Sequence, residues 1–382
     1  DKSSTSALTL KELEKLEDKD WKEVENRFTI EGPQAFTVYL RVTDYAGHIH
    51  YVSSDGHILD NDDPTVSITA KTEPTSENGY YNQTIEKIEL EVKAEDLIEN
   101  WDSQKNGLAP SAGLKEVKYA IWNDTAENEP EDLNYTTLWP SDIDFTDSES
   151  YPTYEELPRE ITETIEVDTA EHNYDNVTVK VLAVDNAGNY SEAAYYTLHI
   201  DITSPEIQVE FDDTKPVREE DGRGYYDSAR TATVTITERP SGFEVMKATE
   251  SIVDGISASN ISGHDDSGNL SEDTYNIGEW TENKDLLDPD NTTYTTTVTF
   301  HGSAKYDFQV SYTDNAGNVN NEPVEYTGIT PQLFTVDIVE PYGAVSVEEN
   351  IWKELIKTLT FGIWYQDPVT ATAEAGDITS PI

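Results

Sequence analysis

The stretch Tyr306-Asp307-Phe308-Gln309-Val310-Ser311-Tyr312-Thr313-Asp314-Asn315-Ala316-Gly317-Asn318 decides the fold. Apolar side chains fill every second position from Tyr306 to Tyr312, the period of a strand with one buried face. A five-residue turn follows, in which Asp or Asn with Gly supplies the positive-φ positions of a tight hairpin. The pattern occurs twice more upstream. Phe36, Val38, Leu40 and Val42 run into Asp44-Tyr45-Ala46-Gly47-His48, and Val177, Val179, Val181 and Ala183 run into Asp185-Asn186-Ala187-Gly188-Asn189. A recurring strand and turn reads as a repeat protein of β-sandwich modules.

At 382 residues the chain exceeds what one hydrophobic core usually supports, which predicts two to four domains. Its 77 acidic residues against 25 basic ones give a formal charge of −52, which repels phosphate backbones and anionic membranes and excludes nucleic acid as a partner. Hydrophobic content is only 36%, yet repeated period-two strands are not a feature of disordered tracts. Cysteine is absent, so no disulfide framework is available. No apolar run approaches the ~18 residues of a membrane span, and no direct membrane insertion is expected.

Module boundaries follow from a repeated strand end, acidic residue and proline. They read Asp60-Asn61-Asp62-Asp63-Pro64, Asp201-Ile202-Thr203-Ser204-Pro205 and Asp337-Ile338-Val339-Glu340-Pro341. Proline lacks the N–H that a central strand needs, so it punctuates the chain here. The spacing from Pro64 to Pro205 is 141 residues and from Pro205 to Pro341 is 136, so both complete modules carry insertions beyond the ~100 residues of a bare sandwich. Gly79-Tyr80-Tyr81 and Gly224-Tyr225-Tyr226 mark matching places in the two modules.

Four segments are expected. Residues 1–63 are the closing strands of a module behind a short helix, with Thr9 and Glu12 at capping-box spacing. Residues 64–204 and 205–340 are complete modules, with strands at 114–122, 161–167, 177–184 and 195–200 in the first and 232–236, 294–300, 308–312 and 334–338 in the second. Residues 341–382 open a further module, with a helix carrying Ile351, Leu355 and Leu359 and a strand over Val369–Ala373. The two incomplete halves are expected to be completed by flanking sequence or by end-to-end pairing between molecules.

These features resemble the bacterial Ig-like repeats of Gram-positive cell-surface proteins. The Asp-Asn-Ala-Gly-Asn turn carries the resemblance, together with Tyr51-Val52-Ser53-Ser54-Asp55-Gly56, the Ile202-Thr203-Ser204-Pro205 linker and Thr360-Phe361-Gly362. The resemblance implies an all-β fold of tandem Ig-like sandwiches in an elongated array. It also implies an extracellular place on the cell surface or wall, and a role as adhesive repeat or stalk. Host immunoglobulin, another secreted glycoprotein or a glycan would be the partner. Tyr45 and His48 depart from the pattern in the first turn.

Catalytic chemistry has no foothold. There is no cysteine, no Gly-x-Ser-x-Gly and no histidine placed for a Ser/His/Asp set, and carboxylates are too numerous for spacing to select a pair. No enzyme is expected. Calcium is the ion best suited to the crowded linker Asp60, Asn61, Asp62 and Asp63, whose oxygens are hard donors, although a solvated acidic loop is the plainer alternative. Three histidines of one hairpin, His48, His50 and His57, are the weaker case for zinc. Partner binding is expected at the aromatics in or beside the insertions: Trp101, Trp122, Tyr135, Trp139, Tyr151, Tyr154 and Trp280. A role in sealing the sandwich edges is the alternative for the same rings. A carbohydrate-binding accessory module and a passive stalk remain the competing readings.

Overall fold

The computed structural model describes residues 8–25, 27–98, 109–140, 156–259, 274–288, 291–320, 323–328, 332–347, 368, 370–377 and 379–382. Within them the chain is an all-β, sandwich-type protein, and its contacts divide it into two units, Asp1–Asp201 and Ile202–Ile382. No helix among the described residues is long and apolar enough to cross a membrane.

The first unit opens with the short helix α1 (Leu10–Leu13), where the Glu12 carboxylate accepts hydrogen bonds from the Thr9 N–H and hydroxyl. Strands β1 (Gln34–Thr43) and β2 (Ile49–Leu59) then form an antiparallel hairpin. The alternation of β1 predicts one buried face, but Leu40 and Val42 are exposed, as is Val52 on β2. No second sheet covers this hairpin among the described residues, and that is the physical reason for the difference.

The remainder of the unit is a sandwich. Strands β3 (Thr65–Ala70), β5 (Lys87–Glu95) and β8 (Glu160–Asp168) form a three-stranded antiparallel sheet. Strands β4 (Tyr80–Tyr81), β6 (Leu114–Trp122), β7 (Thr136–Pro140), β9 (Val177–Asp185) and β10 (Ala194–Ile200) form a second sheet in the order β4-β10-β9-β6-β7. Ile88, Leu90 and Val92 alternate with charged residues on β5, and Val177, Val179 and Val181 line the inner face of β9; all are completely buried. Burying such a side chain stabilises by roughly 1.5–3 kcal/mol, so this alternation fixes the register.

The second unit repeats the plan. Strands β11 (Glu206–Phe211), β14 (Arg230–Thr237) and β18 (Thr293–Phe300) pair as β3, β5 and β8 do, and β16 (Tyr275–Ile277), β17 (Thr281–Asn283) and β20 (Glu325–Thr327) extend their sheet. The opposing sheet runs β12-β13-β21-β19-β15, from Arg218–Glu220, Arg223–Tyr226, Leu333–Val336, Ala304–Phe308 and Ile256–Ser259. Phe211, Phe300, Phe308 and Phe334 meet between the sheets, with four of their ring pairs edge to face at 5.0–6.3 Å. Strands β22 (Tyr342–Val347) and β23 (Ala371–Gly376) form the last hairpin of the described chain.

Two details depart from the sequence expectation. The strand expected over 308–312 lies at Ala304–Phe308 instead. Val310 and Tyr312 stay buried, but their N–H groups bond to side chains, the Tyr326 hydroxyl and the Asn320 amide oxygen, rather than to the backbone of a neighbouring strand. The other departure is a helix, α2 (Val245–Asp254), in the region that resists division into strands. Ala248 and Ile252, one turn apart, are its buried residues, and it stops at Gly255, where a Cβ would sit 1.6 Å from the Gln309 carbonyl oxygen. The helix carrying Ile351, Leu355 and Leu359 lies outside the described residues, and the following strand starts at Ala371 rather than Val369.

Candidate functional site

The turns that mark the repeat hold themselves together. In the second, Asp185 accepts from the N–H groups of Gly188 and Asn189, at 2.6 and 2.8 Å, and from the Asn189 amide at 2.7 Å. In the first, the His48 ring takes the place of that amide, 2.8 Å from Asp44. Gly47, Gly188 and Gly317 all adopt positive φ, as the turn requires. The second residue has a separate task. The Asn186 N–H bonds to the Gly113 carbonyl and its side-chain amide to that of Ala112; Asn315 bonds to Gly242 and Ser241 in the same way. Each such turn therefore clips the loop that follows β5 or β14, the central strand of the three that pair antiparallel in its unit. Tyr45 holds that position in the hairpin and is fully exposed.

Clipping that loop buries acid. Asp60, Asp96 and Asp185, all in the first unit, bring one carboxylate oxygen each within 4.8 Å of one another, and all three residues are buried. Asp60 accepts the Ala112 N–H at 2.5 Å, and Asp96 accepts the Ser111 hydroxyl at 3.0 Å. Burial pushes the Asp96 carboxyl up to about 6, helped by the charges of Asp60 and Asp185, and burial also raises Asp60. The contrast with Asp44 is direct: its bonds to His48 hold that exposed carboxyl below the ordinary range. Three buried carboxylates need a counter-charge, either protons or a cation with a preference for hard oxygen ligands. Of the linker residues Asp60, Asn61, Asp62 and Asp63, only Asp60 joins this group; Asn61 and Asp63 are exposed, and the Asp62 N–H bonds to Asp60. The three hairpin histidines form no metal-ligand group among the described residues.

The second constellation lies on the outer face of the five-stranded sheet in the first unit. Register sets its members: Lys118 is opposite Leu182, Ala120 opposite Lys180, Trp122 opposite Thr178, and Lys180 opposite Tyr195. Cross-strand partners project to the same side, so Lys118, Trp122, Lys180 and Tyr195 share one face. The Lys118 ammonium lies 5.2 Å from the Tyr135 ring centre and 5.5 Å from that of Tyr190. Lys180 lies 5.5 Å from the Tyr195 ring and 2.5 Å from Glu129, whose other oxygen accepts the Tyr195 hydroxyl. Burial opposes the charge of Lys180, but bonds with Glu129, Tyr135 and Tyr195 outweigh it and raise its pKa. Trp122 stands edge-on to Tyr195 at 6.4 Å, and its N–H bonds to the Thr125 carbonyl. Tyr135, Tyr190 and Tyr195 are 37%, 57% and 42% exposed.

The sequence-predicted aromatics thus divide. Trp122 and Tyr135 belong to this row, with Trp122 as its buried footing. Trp139 sits half-buried opposite the buried Val117, on the inner side of a bulge in β6-β7. Trp280 belongs to the second unit, where it packs 5.3 Å from Phe243 and donates to the Thr249 hydroxyl at 3.0 Å. Trp101, Tyr151 and Tyr154 lie outside the described residues. Sequence reasoning passed over Lys118, Lys180, Tyr190 and Tyr195. The signal for Lys118, Lys180 and Tyr195 was the outward half of the period-two alternation, whose apolar half marked the strands; Tyr190 lies between β9 and β10 and carries no such signal.

No family model and no curated protein matches the chain. Among solved structures, one neighbour concerns host cell surface retention of a 1.5-MDa bacterial ice-binding adhesin, at 16% identity and a TM-score of 0.25, over 79% of this chain and 75% of that one. Another is the sialic acid binding region of a Streptococcus sanguinis SK1 adhesin bound to 3'sLn, at 14% identity and a TM-score of 0.19, over 71% and 79%. At these values no property of either protein transfers to this chain.

Proposed function

We propose that this chain is a non-enzymatic binding segment of an adhesin-type bacterial surface protein, built from tandem Ig-like modules and displayed outside the cell. The observation that carries this reading is the exposed row of Tyr135, Tyr190 and Tyr195 around two lysines on one sheet face. Tyrosine supplies a large, stiff contact surface with a polar tip, and it is enriched where proteins bind partners. A passive stalk has no use for such a row. Secreted host glycoproteins, immunoglobulin among them, are the partners to immobilise first. Surface plasmon resonance of the full chain over mucin and immunoglobulin should give saturable binding, lost in a Tyr190→Ala/Tyr195→Ala variant. No binding to any of them would favour the stalk.

Calcium is the counter-charge that best fits the junction. Asp60, Asp96 and Asp185 would supply carboxylate oxygens, the hard ligands that Ca²⁺ takes. A bound ion would stabilise by mass action, about 2.7 kcal/mol at a hundredfold excess over Kd. Calcium should therefore raise the melting temperature at neutral pH, and Asp185→Asn should remove the response. A melting temperature indifferent to calcium and chelator would leave protons as the counter-charge.

A further inference from the structure

We infer that the face around Lys118 takes a saccharide ending in a single carboxylate-bearing sugar, with Lys118 as its anion partner and Tyr135 and Tyr190 as its stacking platforms. This rests on the binding reading of the same face and names the class of ligand. The chain holds 77 acidic residues against 25 basic ones, yet Lys11, Lys15, Lys22 and Lys115 of the first unit make no ion pair among the described residues either, so it is the ring environment that sets Lys118 apart. Lys71, Lys87, Lys93 and Lys180 of the same unit each pair with a glutamate. Lys118 pairs with none among the described residues; its ammonium lies instead between two tyrosine rings, at 5.2 and 5.5 Å. Both rings are exposed, so the arrangement offers one cation flanked by two apolar surfaces.

That chemistry matches a carboxylated sugar. The ring faces of a sugar are lined with C–H bonds and pack on aromatic rings, while its carboxylate answers the ammonium in a charge-assisted hydrogen bond. Glu129 neutralises Lys180, which leaves Lys118 as the unpaired cation of the row, while Thr137, opposite Lys118, holds the Glu116 carboxylate of the same face at 2.8 Å. A net charge of −52 disfavours polyanions such as sulfated polysaccharides or nucleic acid, whose charge extends beyond the ~8 Å over which salt screens it. A neutral oligosaccharide with one terminal carboxylate avoids most of that repulsion. An acidic protein surface would bring many carboxylates at once and is disfavoured on the same ground.

The test uses the full chain and three probes: 3'-sialyllactose, lactose as its uncharged core, and a disaccharide ending in glucuronic acid. Saturation-transfer NMR and calorimetry should detect binding of at least one acidic probe and much weaker binding of lactose. Lys118→Gln should weaken the acidic probe about 10- to 100-fold, the loss of one hydrogen bond to a charged group, while Lys118→Arg stays close to wild type. Retained melting temperature keeps the variants comparable. Equal binding of lactose and acidic probes, or a Lys118→Gln variant that binds as wild type, would overturn the assignment. If no saccharide binds while glycoprotein capture persists and still depends on Tyr190 and Tyr195, the saccharide assignment falls and the binding reading stands.

Discussion

The two units build the same sheet and finish its outer side differently. In the first, β6, β9 and β10 turn Lys118, Trp122, Lys180 and Tyr195 outward, with Tyr135 and Tyr190 alongside. In the second, the equivalent strands β15, β19 and β21 place Ser257, Ser259, Lys305, Asp307, Leu333 and Thr335 on that side, none of them aromatic, and Tyr225 of β13 lies opposite Thr335. The inner sides are alike, because both must bury an apolar layer against an opposing sheet. The clips are alike too, with Asn186 and Asn315 holding the same loop. Shared features therefore belong to the scaffold, and the unshared face is where binding is placed.

The largest expected effect tests whether the two faces rest on separate cores. Phe300 meets Phe308 and Phe334 at the centre of the second unit, at 5.2 and 5.0 Å, and all three rings are fully buried. Phe300→Ala should destabilise that unit by about 3–5 kcal/mol in calorimetry while ligand binding survives below its transition. Loss of binding in parallel with loss of the core would break the comparison.

A smaller effect tests the acid junction of the first unit. With chelator present, Asp96 titrates near 6 in the folded chain and near 3.8 in the unfolded one. A raised carboxyl pKa means that the folded state binds more protons, so stability should fall as pH rises from about 4 to 6 and stay low above that. The shift sets an upper limit of about 3 kcal/mol for this group. Burial raises Asp60 and, in the second unit, Asp314 in the same direction. Denaturant melts at several pH values should show the fall, and Asp96→Asn should flatten it. Calcium that abolishes the pH dependence would identify the ion as the counter-charge.

Glu129→Gln sharpens the comparison further. Removing the carboxylate that holds Lys180 should tighten an acidic saccharide by roughly the value of one exposed ion pair, up to about 1 kcal/mol or fivefold. Weaker binding would show instead that Glu129 positions the row. The smallest effect is on stability: Tyr190→Ala should move it by less than about 0.5 kcal/mol, since the ring is mostly exposed, yet reduce binding.

The strands and turns were legible because their signals are local. Val177, Val179 and Val181 announce a buried face by period two, and Asp185 to Asn189 contains its own hydrogen bonds. Tyr135 and Trp122 could be singled out as aromatics beside insertions. Lys118 could not be joined to Tyr190, because they meet through the pairing of β6 with β9, which sequence spacing does not encode. The acid junction was half legible for the same reason. Asp60 stood out in its linker, but Asp96 and Asp185 lie far from it along the chain and meet it beside the loop that Asn186 clips. Helix α2 was missed because only Ala248 and Ile252 mark its buried side.

Hydrogen exchange on the full chain, with and without a saturating carboxylated glycan, tests the placement of binding most directly. Added protection should fall in residues 114–122, 129–137 and 177–198 and be absent from 256–259, 304–308 and 333–336. Protection confined to the second unit, or none in the first, would contradict the account.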